Sequence, residues 1–278
     1  MRAALLQANS GIDPLLGARA LVEAVERAAG EGADMLFTPE MSAVLDRDRD
    51  RAAATIVAEK QDIALAAVRE ATAKYGLWVH LGSLAVRDPD RDRGRRLANR
   101  GFVIDDQGAI RARYDKMHLF DVDLPDGQSI RESATYAPGS TAVAADTPWG
   151  RLGLSICYDL RFPDLFRALS DGGATMLAIP AAFTIPTGRA HWHVLMRARA
   201  IEAACFVIAA AQTGLHADGR RTFGHSLVVD PWGDVLLDMG EMPGVALVDI
   251  DPARLAEARD RIPVLRHRRA IDSVEIAG

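Results

Sequence analysis

Hydrophobic and polar positions at the start of the chain form blocks that predict a strand, a helix and a second strand. A short apolar run at 3–8 predicts the first strand. Asp13 followed by Pro14 predicts a helix start with an N-cap and a proline in the first turn, and apolar residues recur at helical spacing over 18–29. The apolar run 35–37 predicts the next strand. Strand–helix–strand units are typical of parallel pairing.

The remaining pattern predicts further helices and strands, with no linker, repeat or low-complexity tract between them. Helices are predicted over 60–75, 162–170 and 190–205, the last with Val194, Ala198, Ile201 and Cys205 on its apolar stripe. Strands are predicted over 78–86, 98–105, 109–114, 153–156, 176–180, 206–211, 227–230 and 245–250, with a hairpin turn at 231–234. The sequence therefore predicts one α/β domain with two sheets and outer helices.

Composition and charge narrow the class of protein. Of 278 residues, 49% are hydrophobic, which is enough for a buried core. A net charge of −5 and a pI near 5.8 provide no cationic field for nucleic acid or an anionic membrane. The charged segments 46–51 and 87–96 are predicted to be solvated loops, because their aspartates offset their arginines. No apolar stretch is long enough for a membrane span or a signal peptide, so we expect a cytoplasmic protein.

Several common kinds of site are not indicated by any motif. Cys157 and Cys205 form no CxxC pair, and both can remain thiols in a reducing cytoplasm. Glycine-rich phosphate loops and the Gly-x-Ser-x-Gly motif of serine hydrolases do not occur. His191 and His193 are two residues apart and would point to different faces of a helix. We therefore predict neither a metal nor a cofactor.

Three reactive side chains each follow a predicted strand, where functional groups of α/β sheets collect. They are Glu40, Lys116 and Cys157. Each one alone has an ordinary interpretation: a surface turn for the glutamate, an exposed lysine, and a small buried hydrophobe for the cysteine. Their shared position at strand ends makes them a candidate catalytic set.

The residues around the cysteine favour a reactive thiol. Segment 157–163 contains Arg161, and nearby cations lower the pKa of a thiol. Histidine is the usual partner of a cysteine nucleophile, but no recognised Cys/His signature occurs. His118 and His225 are candidate hydrogen-bond partners of the reactive groups.

Motifs that carry a family resemblance then follow one another along almost the whole chain. They are Phe37-Thr38-Pro39-Glu40, Tyr114-Asp115-Lys116-Met117-His118-Leu119-Phe120-Asp121-Val122-Asp123, Arg131-Glu132-Ser133 with Pro138-Gly139, Cys157-Tyr158-Asp159-Leu160-Arg161-Phe162-Pro163, Pro180-Ala181-Ala182-Phe183-Thr184, His191-Trp192, Arg197-Ala198-Arg199-Ala200-Ile201-Glu202, Gly224-His225-Ser226 and Asp230-Pro231-Trp232-Gly233. With these motifs the chain resembles the nitrilase superfamily of carbon–nitrogen hydrolases, and most closely its Nit branch of small-amide amidases.

The resemblance implies a fold and an assembly. The fold is a four-layer α-β-β-α sandwich, two sheets flanked by helices, formed here by a single domain over 1–278. The family assembles as dimers or larger oligomers across a helical face, so we expect a homodimer or a higher homo-oligomer. Segment 261–278 is expected to be a tail, either solvated or packed on a partner subunit.

The resemblance also implies catalytic roles. Cys157 matches the nucleophile, and Glu40 matches the general base that later protonates the leaving group. Lys116 is similar to the lysine that stabilises the tetrahedral oxyanion, with the backbone N–H of Tyr158 as the second donor. Glu132 matches a residue that positions the lysine and the substrate. This set suits amide hydrolysis, which requires both nitrogen protonation and stabilisation of a developing O⁻.

In the Nit branch, Arg161, Phe183 and Thr187 correspond to positions that hold the acid end of the substrate. The expected substrate is therefore a small amide with a carboxylate, such as deaminated glutathione or an ω-amide of a 2-oxo acid. A structural ion pair of Arg161 with Asp159 or Asp164 is the alternative. A nitrilase, an N-carbamoyl amidohydrolase and a non-catalytic binding or scaffold member of the family are the alternative functions.

Overall fold

A computed structural model of the protein describes residues 1–88, 96–123, 127 and 129–277, so most of the charged segment 87–96 lies outside the described residues. The strands are β1 (Arg2–Gln7), β2 (Met35–Phe37), β3 (Trp78–Arg87), β4 (Leu97–Ile104), β5 (Ile110–Asp115), β6 (Asp121–Asp123), β7 (Ser129–Arg131), β8 (Ala144–Thr147), β9 (Gly150–Leu154), β10 (Met176–Ala178), β11 (Phe206–Ala209), β12 (Thr213–Leu215), β13 (Arg221–Phe223), β14 (Leu227–Val229), β15 (Val235–Asp238) and β16 (Gly244–Asp249). The helices are α1 (Pro14–Gly30), α2 (Arg49–Thr55), α3 (Ile63–Tyr75), α4 (Pro163–Asp171), α5 (Ile185–Ala203), α6 (Pro252–Arg261) and α7 (Val264–His267). Short 3₁₀ turns cover Glu59–Gln61, Glu132–Ala134 and Cys157–Arg161.

The strands form two six-stranded sheets. The first has the order β16-β1-β2-β3-β4-β5, and the second has the order β15-β14-β11-β10-β9-β8. β1, β2 and β3 are parallel, as are β9, β10 and β11. This confirms the parallel pairing that the strand–helix–strand pattern predicted. Strand β16 comes from the far end of the chain and pairs antiparallel with β1.

Alternate residues of β1 show how the sheets are layered, because successive side chains of a strand point to opposite faces. Ala3 and Leu5 pack in the core that the two sheets share. Ala4 packs instead in the core beneath α1 and α3. Helices α4 and α5 contact the second sheet through β9, β11 and β14. The arrangement is the α-β-β-α sandwich that the resemblance implied.

Capping by aspartate confirms one local prediction and contradicts another. The predicted start of α1 is confirmed, since Asp13 Oδ1 accepts hydrogen bonds from Leu15 N at 2.8 Å and Leu16 N at 3.3 Å, with Pro14 in the first turn. The prediction of a loop over 46–51 is wrong for its last residues, 49–51, which are helical. Asp48 caps α2, which begins at Arg49, so local capping outweighs the charge pattern.

The predicted apolar stripe on the helix near 190–205 is also wrong. Val194 and Ile201 are 68% and 46% exposed, and the buried face of α5 instead carries Trp192 and Met196. Both stripes have helical spacing, but the buried one includes Arg199, whose Nε donates to Leu160 O at 3.0 Å. A buried, hydrogen-bonded arginine conceals that face from a hydrophobicity pattern.

The C-terminal segment packs partly on its own chain. Arg268 hydrogen-bonds to Asp171, to Ser170 Oγ at 2.9 Å and to Glu202 O at 3.1 Å. Beyond this anchor, Ile271 is exposed, as are the apolar residues near the end of the segment. In the described part of the chain, no helix has the length and hydrophobicity required to cross a membrane.

Candidate active site

The ends of strands from both sheets meet at one cleft of about 1400 Å³. Glu40 follows β2, Lys116 follows β5 and Cys157 follows β9. These three side chains are buried at the base of the cleft, and Glu132 joins them from its 3₁₀ turn. The structure thus brings the four residues together from positions far apart in the sequence.

Lys116 lies between two carboxylates. Its Nζ donates to Glu40 Oε1 at 2.9 Å and to the Glu132 oxygens at 3.0 and 2.9 Å. Burial opposes the charge on the lysine, but Glu132 and Glu40 hold the pKa of Lys116 well above its usual value. A buried ammonium that remains charged at neutral pH can stabilise a developing oxyanion.

Asn99 is part of this cluster, although no sequence argument identified it. It lies on β4, and its Nδ2 donates to Glu40 Oε1 at 2.9 Å and to Glu132 Oε1 at 3.3 Å. The amide thereby fixes the spacing between the two carboxylates. The only signal in the sequence is a polar residue inside a strand whose neighbours are mostly apolar, which is too common to be diagnostic.

The cysteine sits on a constrained turn. Cys157 has a φ of +52°, in the left-handed region that disfavours side chains with a Cβ. Its N–H donates to Pro180 O at 2.9 Å. Tyr158 follows in the first turn of the 3₁₀ segment, where backbone N–H groups have no acceptor within the helix.

Asp159 holds this turn in place and was also missed from the sequence. Its fully buried Oδ2 accepts from Ile156 N at 2.8 Å and from Tyr114 Oη at 2.7 Å. Its Oδ1 accepts from His118 N at 3.0 Å and lies 2.7 Å from His118 Nδ1. His118 therefore acts on the cysteine turn through an intervening carboxylate.

The ionisation of the thiol differs from the sequence-based expectation. Burial and the adjacent Glu40 carboxylate raise the pKa of Cys157 well above its usual value, and the Lys116 ammonium only partly opposes them. The prediction that nearby cations lower this pKa is wrong, because burial and the Glu40 carboxylate outweigh the Lys116 ammonium. The resting cysteine is consequently a neutral thiol.

Glu40 has the opposite shift. Burial raises its pKa, but the charge and hydrogen bond of Lys116 outweigh burial and leave the pKa below its usual value. Its Oε2 also accepts from Ala182 N at 3.1 Å. An ionised carboxylate beside a neutral thiol is the arrangement that general-base activation of a nucleophile requires.

The three residues expected to hold the acid end of a substrate lie near one another, but only two of them line the cleft. Phe183 and Thr187 line it, whereas Arg161 is not among the described residues that do. The Arg161 guanidinium lies 5.7 Å from the Phe183 ring and 3.3 Å from His191 Nδ1. Among the described residues it makes no ion pair with Asp159 or Asp164, so that structural alternative is not supported.

Arg189 and Arg221 are among the arginines that line the cleft, and neither was identified from the sequence. Arg189 and Arg221 are exposed, and neither guanidinium has an ion pair or a side-chain hydrogen bond among the residues the structure describes. Both cations are therefore available to an anionic group in the cleft. His225, a predicted partner of the reactive groups, instead lies 2.9 Å from Asp238 Oδ1 and outside the cleft lining.

Known proteins match this chain in sequence and in fold. The carbon-nitrogen hydrolase family model matches residues 2–260. A deaminated glutathione amidase of Synechocystis is 41% identical over 249 residues, which cover 88% of this chain and 90% of that protein. The crystal structure of Saccharomyces cerevisiae Nit3, a member of branch 10 of the nitrilase superfamily, has a TM-score of 0.86 at 26% identity and covers 97% of each chain. An amidase of Nesterenkonia, solved with acrylamide added to its active site cysteine, has a TM-score of 0.77 at 26% identity and covers 95% of this chain and 98% of its own.

Proposed function

This chain belongs to the carbon–nitrogen hydrolase family, and on that premise we propose that it hydrolyses a small carboxylate-bearing amide through a thioester on Cys157. The observation that carries the proposal is the buried cluster in which Lys116 bridges Glu40 and Glu132 beside the thiol. A scaffold protein would gain nothing from burying these charges, because ion pairs of this kind rarely stabilise a fold. A catalytic role explains why these charges are buried together.

In the first half of the reaction, Glu40 accepts the thiol proton as Sγ of Cys157 attacks the carbonyl carbon. The carbonyl π electrons move to oxygen, and the resulting O⁻ is stabilised by Lys116 Nζ and the backbone N–H of Tyr158. Each such donor contributes about 3 kcal/mol to transition-state stabilisation. The lowered pKa of Glu40 and the raised pKa of the thiol support proton transfer concerted with attack, in place of a preformed thiolate.

In the second half, Glu40 gives its proton to the leaving nitrogen as the C–N bond breaks and the amine departs. The acyl group remains on sulfur as a thioester. Glu40 then removes a proton from water, whose oxygen attacks the thioester carbonyl, and the C–S bond breaks. The carboxylic acid leaves and the thiol regains its proton. Hydrogen bonds with Glu132 and Asn99 hold Lys116 and Glu40 in position through both halves of the reaction.

Deaminated glutathione is the proposed substrate, because it carries a carboxylate at each end. The 2-oxo acid end suits the region of Arg161, Phe183 and Thr187. The glycine carboxylate of the leaving peptide suits Arg189 and Arg221, which also line the cleft. A 2-oxo ω-amide has only the first carboxylate. The relative from Synechocystis bears the name of this activity.

The substrate proposal is tested by comparing kcat/KM for deaminated glutathione, 2-oxoglutaramate, a simple nitrile and an N-carbamoyl amino acid. We expect Arg189→Ala combined with Arg221→Ala to raise KM for deaminated glutathione about tenfold, equivalent to ~1.4 kcal/mol, because a charge-assisted hydrogen bond is lost. KM for 2-oxoglutaramate should not change. Arg19→Ala, on an exposed position of α1, is the matched control.

Two results would contradict this assignment. A higher kcat/KM for the nitrile or the N-carbamoyl compound would reject the amide substrate. An equal rise in KM for both amides in the double variant would reject the second carboxylate subsite. Arg161→Ala should impair both amides, since they share the 2-oxo acid end.

We further propose that the protein is a homodimer formed across α5. Val194 and Ile201 are one heptad apart on an exposed face of this helix, and Trp232 is exposed nearby. Light scattering at micromolar concentration should give a dimer for the wild type and a monomer for Val194→Lys with Ile201→Lys. The same pair of substitutions at Leu15 and Leu16, which are similarly exposed on α1, should leave the dimer intact. A monomeric wild type would reject the proposal.

The exposed part of segment 261–278, which includes Ile271, is proposed to pack on the partner subunit. The cysteines described in the structure, Cys157 and Cys205, are both free thiols. Free thiols suit a reducing compartment, which supports the cytoplasm as the proposed location.

A further inference from the structure

A second cluster of polar side chains lies outside the cleft, where three elements meet. His193 projects from α5, His225 precedes β14, and Asp238 ends β15. His193 Nε2 lies 2.9 Å from Asp238 Oδ2, and His225 Nδ1 lies 2.9 Å from Asp238 Oδ1. One ring nitrogen from each histidine and one carboxylate oxygen all lie within 4.8 Å of one another. None of the three residues lines the catalytic cleft.

The donor set matches a metal site more closely than it matches an ordinary ion pair. Two imidazoles and a carboxylate are the ligands of many zinc and other divalent transition-metal centres that retain water at the remaining positions. Tetrahedral Zn²⁺ with bonds of about 2.0–2.1 Å separates neighbouring ligand atoms by ~3.3 Å. Asp238 Oδ2 lies 2.9 Å from His193 Nε2 and 3.1 Å from His225 Nδ1, so both distances need only a small expansion to admit the ion. The side chains are 36%, 22% and 32% exposed for His193, His225 and Asp238, so the ion can enter from solvent.

The surrounding structure holds two of the three ligands in position. His225 has a φ of +54°, its ring stacks on Phe223 with centroids 4.5 Å apart, and its carbonyl accepts from Trp192 Nε1 at 2.8 Å. Asp238 Oδ1 accepts from Gly240 N at 2.9 Å. A second set of contacts that orients the ligands is a common feature of metal sites.

We propose that His193, His225 and Asp238 bind one divalent transition-metal ion, for which Zn²⁺ is the probe. The ion fastens α5 to the hairpin of β14 and β15. The sequence could not indicate this site, because His193 is 45 residues from Asp238 and the spacing of His191 and His193 argues only against those two as a pair.

The test uses calorimetric titration with Zn²⁺ near neutral pH on the full chain carrying Cys157→Ala, which removes a thiol that would also bind zinc. One ion per chain is expected. His193→Gln and His225→Asn should each weaken binding at least about tenfold, as loss of a ligand does. Asparagine is chosen for position 225 because it tolerates a positive φ. His267→Gln, which changes an exposed histidine elsewhere, should bind as tightly as the parent.

Thermal unfolding of the same proteins provides a second readout. At a Zn²⁺ concentration about 100-fold above Kd, the parent and His267→Gln should rise in Tm by roughly 3–6 °C, and the two cluster variants should not. Absence of saturable binding in the parent would overturn the proposal and leave a hydrogen-bonded His–Asp–His bridge. Equal binding by the parent and both cluster variants would also overturn it. Because the parent lacks the nucleophile, neither result depends on the proposed hydrolysis.

Discussion

Replacing Cys157 with alanine is expected to lower kcat for amide hydrolysis by about a millionfold, which is the scale of loss when a covalent nucleophile is removed. No other thiol reaches the cleft, since Cys205 is buried elsewhere with its Sγ 3.1 Å from Ala174 O. Water cannot replace the thiol, because Glu40 and Lys116 are arranged around the position of Sγ. The measurement is the rate of amine release from deaminated glutathione under saturating conditions.

Cys205→Ala is the matched control for this experiment. It removes the other cysteine of the described chain but leaves the cleft unchanged, so the rate should remain within about twofold. Far-ultraviolet circular dichroism of both variants checks that the fold is retained. Activity of Cys157→Ala within about tenfold of the wild type would reject the thioester mechanism.

Changing Glu40 to glutamine is the substitution with the next largest expected effect. Glutamine has nearly the same shape and retains an oxygen that can accept from Lys116 Nζ, but it cannot take the thiol proton. Loss of a general acid–base group costs typically 10²–10⁴-fold in rate, and we expect the upper part of this range because Glu40 acts in both half-reactions. Single-turnover measurements should show slow formation and slow breakdown of the thioester.

Glu132→Gln is the control, because it makes the same chemical change on the other carboxylate that binds Lys116. We expect a loss of only about 10–100-fold, since Glu132 positions the lysine and does not move a proton. A loss for Glu132→Gln equal to that for Glu40→Gln would contradict the assignment of Glu40 as the base. It would indicate that both carboxylates act only through Lys116.

The pH profile provides a separate readout for the same residue. The pKa of Glu40 lies below its ordinary value of 4.5, so the wild type should lose activity only as the pH falls below that value and the base is protonated. The free energy of unfolding should also fall as the pH falls. A carboxylate with a lowered pKa stabilises the fold at neutral pH, and that stabilisation is lost as acid protonates it. The acid limb of the kcat profile should be absent in Glu40→Gln.

The cluster around Lys116 also explains why the site needs its full set of partners. Removing one member of a buried ion pair costs about 3–5 kcal/mol, because a charge is left without compensation. Lys116 has two carboxylates, and Asn99 contacts both of them, so the cost of burying three charges is distributed over several hydrogen bonds. The lysine is consequently charged and correctly oriented before any substrate binds, as oxyanion stabilisation requires.

Local patterns in the sequence were sufficient to predict the main elements and the fold class. The spacing of apolar residues and the Asp13-Pro14 start predicted α1, and the short apolar runs predicted the parallel strands β1 and β2. These features are local, because a helix or a strand is recognised by the period of its own residues. Resemblance to a family then supplied the sandwich and the reaction class, which the matches over residues 2–260 support.

Features that depend on residues far apart in the chain required the folded structure. The pairing of β16 with β1, the buried face of α5 and the meeting of His193 with Asp238 are of this kind. So is the raised pKa of Cys157, which is set by burial and by Glu40 rather than by its sequence neighbours. The pattern of residues near a side chain in the sequence does not show which distant groups will bury it or come into contact with it. Tertiary packing decides both the burial and the contacts. It therefore determines the protonation state of the Cys157 thiol and the groups that surround Glu40.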